Sequence, residues 1–150
     1  MQEYDLAALT KLCADLDIPV AAGEWVYGGA HVAATMLTQG AADIIRGDAI
    51  VSGGITGLVK TARVAEALGA HCEVHERGPG FGHAHAQVLG ALSNCEFFEF
   101  NAVDPQAPTA TPFLQQTLRV ENGEVIVPDG PGLGLEPDWD EIGRRTVEVI

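Results

Sequence analysis

The stretch ADIIRGDAIVSGGITGLVKTARVAEALGAHCEVH, Ala42 to His75, decides the fold of this 150-residue chain. It opens with a short apolar run closed by Asp48, turns at Gly53 and Gly54, runs to Leu68 with helical character, and stops at Gly69. A second short run, AHCEVH, then ends at His75. Strand, helix, strand in this order and length is the pattern of a parallel βαβ unit.

The same cycle recurs on both sides. Upstream, IPVAAGE (18–24) reads as a strand buried on both faces and ending at Glu24, and His31–Gln39 as a helix stopped by Gly40. Ahead of these, Tyr4 to Asp17 place Leu6, Leu9, Leu12, Cys13 and Leu16 on one face of an amphipathic helix. Downstream, His83–Leu92 reads as a helix and CEFFE (95–99) as a strand ending at Glu99. Glu24, Asp48, His75 and Glu99 therefore close four strands at intervals of 24, 27 and 24 residues.

Side chains alternate across a strand. One face is thus expected to carry Ile18, Val20, Ala22 and Glu24, then Ile44, Arg46 and Asp48, then His71, Glu73 and His75, then Cys95, Phe97 and Glu99. If these faces turn inward, four ionisable groups converge on one mouth, at the strand ends where barrels of this kind hold their chemistry. Any one of the four reads equally well as a solvent-facing loop residue; four in phase favour convergence.

Beyond Asn101 the character changes. AVDPQAPTATP (102–112) reads as an extended crossing segment, and TLRVENGEVIVP (117–128) as a hairpin about Asn122-Gly123. In PDGPGLGLEPDWDEIG (128–143) Asp138 is a candidate N-cap, with Glu141 three residues on, for a last helix. The expected division is 1–100 and 101–150.

Composition narrows the function classes. The chain is 47% hydrophobic and 19% charged, which supports a packed core, and its net charge of −13 repels phosphate backbones and anionic headgroups. Nucleic acid and membrane are not expected partners. Cys13, Cys72 and Cys95 are odd in number and lack CxxC spacing, no apolar run reaches 18 residues, and the N-terminus has no signal-peptide pattern. Reduced thiols and a cytoplasmic location are expected.

Three stretches together, IPVAAGE, then ADIIRGD with VSGGITGLVKTARVAEALG, and the closing VIVPDGPGLGLE, resemble the enolase superfamily, in the branch of mandelate racemase and the acid-sugar dehydratases. The resemblance implies an α/β fold, a partial (β/α)₈ barrel holding strands five to eight, with a C-terminal segment that returns to a capping domain. It implies that Glu24 is a carboxylate ligand of Mg²⁺. Asp48 and His75 would form a dyad in which the imidazole moves the proton α to a substrate carboxylate and the aspartate fixes its tautomer. Glu99, protonated, would hydrogen-bond that carboxylate. Muconate-cycloisomerising relatives carry Lys where this chain has Asp48, which favours the racemase/dehydratase side.

The implied reaction is dehydration of an acid sugar or hydroxy acid, with racemisation of a 2-hydroxy acid as the alternative; which substrate is not legible. A complete barrel of this type takes roughly 250 residues. The chain is therefore expected to be a half barrel, inactive alone, with open sheet edges that favour a homo-oligomer or a complementary half. A non-catalytic assembly module is the competing reading.

Other constellations are weaker. His71, Cys72, His75, His83 and His85 could be read as a Zn²⁺ cluster, but His71 and Cys72 face opposite sides of a strand and His83 and His85 diverge on a helix. GPGFG (78–82) lacks the Lys-Ser/Thr of a phosphate loop and is expected to be a flexible active-site loop. Trp25 and Tyr27 are candidate pocket walls, and Arg46 a candidate interior partner for a carboxylate. Glu73 is left without a role.

Overall fold

A computed structural model describes residues 4–75, 80–99 and 113–148. Helix α1 (Leu6–Asp15) leads into β1 (Ala21–Ala22), α2 (Ala30–Thr38), β2 (Ile44–Gly47), α3 (Gly54–Ala67), β3 (His71–Val74) and α4 (Phe81–Leu89). The tail carries β4 (Val120–Glu121), β5 (Glu124–Val125) and α5 (Trp139–Arg145). Strands β1, β2 and β3 are neighbours in that order and all parallel, as repeated βαβ units require.

The register assigns the faces. Ala22, Ile45 and Cys72 are aligned, and with Val74 they join a core built from Leu9, Ala33, Met36, Leu58, Ala62, Ala65 and Val88 of the four helices. Gly47 belongs to the same face, where an added Cβ would meet Leu58 Cδ1 at 2.5 Å. A side chain there would push α3 off the sheet. The opposite face carries Ala21, Ile44, Arg46, His71 and Glu73.

Register also corrects the phase expected for the first strand. Ala21, not Ala22, aligns with Ile44 and His71, so strict alternation from Ala22 would send Glu24 toward the helices. Gly23 resets the count: at φ +96° a Cβ added there would meet Met36 Sδ of α2 at 3.2 Å, and Glu24 emerges on the Arg46 side. Only glycine adopts that backbone without strain. The first strand is also not buried on both faces. Ile18 is 68% exposed, and pairing is confined to Ala21 and Ala22, with the entry fixed by Asp43, whose carboxylate accepts the Val20 N–H at 2.8 Å.

The strand expected over 95–99 is present only as one parallel bridge, Val74 to Phe98. The reason is Glu73. Its carboxylate accepts the N–H groups of Glu96 (3.3 Å) and Phe97 (2.9 Å), so these amides bond a side chain instead of a ladder. Phe97 is 71% exposed.

The tail follows its local signals. Asn122 (φ 53°) and Gly123 (φ 85°) form the left-handed pair of a two-residue hairpin between β4 and β5. Asp138 Oδ1 accepts the Glu141 N–H at 2.9 Å and caps α5. Gln87 of α4 donates to the Pro128 carbonyl at 2.8 Å and ties the tail to the sheet domain. The crossing segment 102–112, the boundary at 100/101, and Gly78 and Pro79 of the GPGFG loop lie outside the described residues. No helix among the described residues is long and apolar enough to cross a membrane.

Candidate active site

Three strand ends and the Phe98 bridge bring the four expected residues to one mouth. Asp48 follows β2, is fully buried, and is held by its own loop: Oδ1 accepts the Ile50 N–H at 2.7 Å. Its Oδ2 lies 3.2 Å from His75 Nδ1. His75 follows β3, where its N–H donates to the Gly47 carbonyl at 2.8 Å, so the backbone fixes the ring's origin beside Asp48. Glu24 Oε1 is 3.5 Å from the same Nδ1. Ligand atoms of Glu24, His75 and Glu99 all lie within 4.8 Å of one another.

Arg46, on the inward face of β2, joins the two outer carboxylates. Its Nε and Nη2 donate to Glu24 Oε2 at 3.2 and 2.8 Å, and Nη2 also donates to Glu99. Burial opposes the guanidinium charge, but the bonds and charges of Glu99 and Glu24 outweigh it and raise the Arg46 pKa above its ordinary value. Through its bond to Glu99, Arg46 holds that carboxyl group beside Glu24. The Glu24 carboxylate is a hard oxygen donor of the kind a divalent cation such as Mg²⁺ prefers, and Arg46 supplies the balancing positive charge there.

Around this mouth the secondary candidates separate. Trp25 stands against His75 with ring centroids 6.0 Å apart, whereas Tyr27 is largely exposed. Cys72 is in the core on the helix side, where burial and then the Glu73 charge raise its thiol to about 12, and His71 lies 3.7 Å from Glu73. The five residues of the zinc reading are therefore split between the two faces of the sheet and the interior of α4. His83 is buried in α4, and desolvation lowers its pKa.

Two participants have no role in the sequence reading. Glu73 organises the approach to Glu99 through the Glu96 and Phe97 amides and accepts from Cys95 Sγ at 3.4 Å. His85 is fully buried behind Asp48 and accepts the Ala49 N–H on Nε2 at 3.0 Å. The available signal is its position: His85, Val88, Leu89 and Leu92 lie at i, i+3, i+4 and i+7, a polar residue on an apolar stripe.

Comparison with known proteins shows the family. The family model described as enolase C-terminal domain-like matches residues 1–141. D-galactarolactone cycloisomerase of Agrobacterium fabrum is 33% identical over 144 residues, which is 91% of this chain and 38% of that protein. Muconate cycloisomerase 1 of Rhodococcus opacus is 27% identical over 151 residues, 94% of this chain and 37% of its own. The crystal structure of D-glucarate dehydratase from Agrobacterium tumefaciens, complexed with magnesium, superposes with a TM-score of 0.82 at 31% identity, covering 96% of this chain and 38% of that one. The chain thus spans about two-fifths of the length of the relatives it matches. The chain belongs to the enolase superfamily, in its mandelate racemase and muconate cycloisomerase branch, and is similar to that family's barrel-type C-terminal domain.

Proposed function

We propose that this chain contributes the C-terminal half of the active site of a Mg²⁺-dependent enzyme that abstracts the proton α to a carboxylate, acting as a dehydratase on an acid sugar or hydroxy acid. The observation that carries the reading is the buried Asp48–His75 pair, 3.2 Å apart, opening beside Glu24. With Nδ1 donating to Asp48, Nε2 of His75 is left to take the α-proton and to return it to a departing hydroxyl. Asp48 holds that tautomer and balances the imidazolium as it forms. Trp25 shields the ring from one side. Glu99, in its protonated form, donates to the substrate carboxylate while its Oε2 keeps the bond from Arg46.

Glu24 is the residue that would hold Mg²⁺, whose chemistry when bound is to stabilise negative charge on the substrate carboxylate. Magnesium is present in the D-glucarate dehydratase structure. Among the described residues, one carboxylate stands in the family's ligand position and it is already paired with Arg46. A single carboxylate neither fills an octahedron nor offsets dehydration of the ion. The chain alone therefore does not turn over substrate, and catalysis requires a second copy or a complementary half. Residues 1–100 are assigned to strands five to eight of the barrel and 101–150 to the return toward a capping domain. The three free thiols support a reducing, cytoplasmic setting.

Racemisation of a 2-hydroxy acid uses the same dyad, and the similarity to D-galactarolactone cycloisomerase supports cycloisomerisation as a second reading. The deciding assay supplies the chain with the N-terminal half of D-glucarate dehydratase and Mg²⁺, and follows acid sugars in deuterated water by NMR. Dehydrated product, lost in His75→Asn and absent from the chain alone, is the expected result. Full activity in His75→Asn would remove the dyad from the mechanism, and turnover by the chain alone would overturn its dependence on a second half. No activity in the wild-type complex, with lasting structural integrity, would favour an assembly module.

A further inference from the structure

His85 has no part in the chemistry above, yet it sits fully buried in α4 with Nε2 3.7 Å from Asp48 Oδ1. That nitrogen accepts the Ala49 N–H at 3.0 Å. An imidazole nitrogen that accepts carries its lone pair there, so the neutral ring bears its proton on Nδ1. The next amide, Ile50 N–H, is donated to Asp48 Oδ1 at 2.7 Å. The two peptide donors that follow the aspartate are thus divided, one to its own carboxylate and one to a side chain from the following βα unit.

We propose that His85 is a positioning residue for the Asp48–His75 pair. By taking the Ala49 N–H it fixes the peptide behind Asp48, leaving Oδ1 to the Ile50 amide and Oδ2 turned toward His75 Nδ1. Without His85, a buried amide is left lacking its acceptor, a costly state that the nearest carboxylate relieves. That carboxylate is Asp48, and each further bond it accepts from its own loop weakens its hold on His75. The inference rests on the dyad reading of Asp48 and His75.

The test is long-range ¹H–¹⁵N NMR of the histidine-labelled 150-residue chain, which reads the protonated nitrogen of each ring. In the wild type, His85 is expected to carry its proton on Nδ1, and neutral His75 to be held mainly as the Nδ1–H form by Asp48. In His85→Leu the His75 Nδ1–H population falls at least threefold, because a free neutral imidazole prefers Nε2–H, and Ala49 amide exchange quickens. His85→Gln, whose side-chain oxygen can accept from Ala49, restores both. Asp48→Asn lowers the His75 population as His85→Leu does. If Asp48→Asn shifts His75 and His85→Leu does not, the positioning role is wrong and the dyad stands; if neither shifts it, the dyad reading falls with it. Should His85→Leu not fold, a proton on Nε2 of wild-type His85, or an altered His75 tautomer in His85→Gln, would overturn the proposal.

Discussion

Two corners of the same mouth are built by opposite means. At the inner corner Asp48 and His85 are fully buried and hold the backbone amides of Ile50 and Ala49, with Asp48 also facing His75. At the outer corner Arg46, Glu24 and Glu99 are partly exposed and hold one another by charge. Buried hydrogen-bonded groups resist displacement because loss of a partner leaves an unsatisfied polar group, whereas partly solvated ion pairs exchange partners at small cost. The inner corner suits a base whose orientation must persist; the outer one suits groups that must release one cation or hydrogen bond and take another.

The sharpest way to break that contrast is at Asp48. Asp48→Ala removes the acceptor of the Ile50 amide and the partner of His75, and is expected to lower stability by about 3 kcal/mol in urea unfolding. A loss below about 1 kcal/mol would make the inner corner no firmer than the outer. Glu73→Ala comes next, with an expected loss of about 2 kcal/mol and faster hydrogen exchange at the Glu96 and Phe97 amides, which it strips of their acceptor. Unchanged exchange there would mean that the Phe98 bridge forms without Glu73.

At the outer corner Arg46→Gln is expected to change stability by about 1 kcal/mol or less while tightening Mn²⁺ binding about tenfold, measured by electron paramagnetic resonance of free ion. Equal or weaker binding would show that Arg46 does not compete for the carboxylates. The smallest effect at neutral pH concerns the thiols. Burial first, then the Glu73 charge, raise Cys72 and Cys95 to about 12 from an ordinary 9.0. The folded state then keeps protons that the unfolded chain releases, so this contribution is complete below pH 9 and is lost as pH rises from there toward 12. Thiol labelling at pH 8 should reach the partly exposed Cys13 and Cys95 before the buried Cys72, which should react only on unfolding; equal rates for all three would contradict it.

Much of this was legible in the residues. The cycles through β1, β2 and β3, the Asn122-Gly123 turn and the Asp138 cap follow from local signals, and the structure places each near its expected position. What escaped needed three dimensions. The positive φ at Gly23 is what carries Glu24 to the Arg46 side, and no alternation rule contains it. Glu73 turns an expected strand into an irregular edge by taking amides from a segment more than twenty residues away, and His85 reaches a peptide 36 residues distant. Such side-chain to backbone bonds carry no period, so the pattern that finds strands and helices passes over them.

We propose that a divalent cation enters the mouth at Glu24, with the Asp48–His75 pair and Glu99 lying beside it. The most direct test is paramagnetic broadening in the ¹⁵N spectrum of the chain as Mn²⁺ is added. Resonances of Glu24, His75 and Glu99 and their immediate neighbours should broaden first and together, and Glu24→Gln should abolish that selectivity. Broadening that begins instead at the acidic tail around Asp129, Glu136 and Asp140, with the mouth unaffected, would contradict the account.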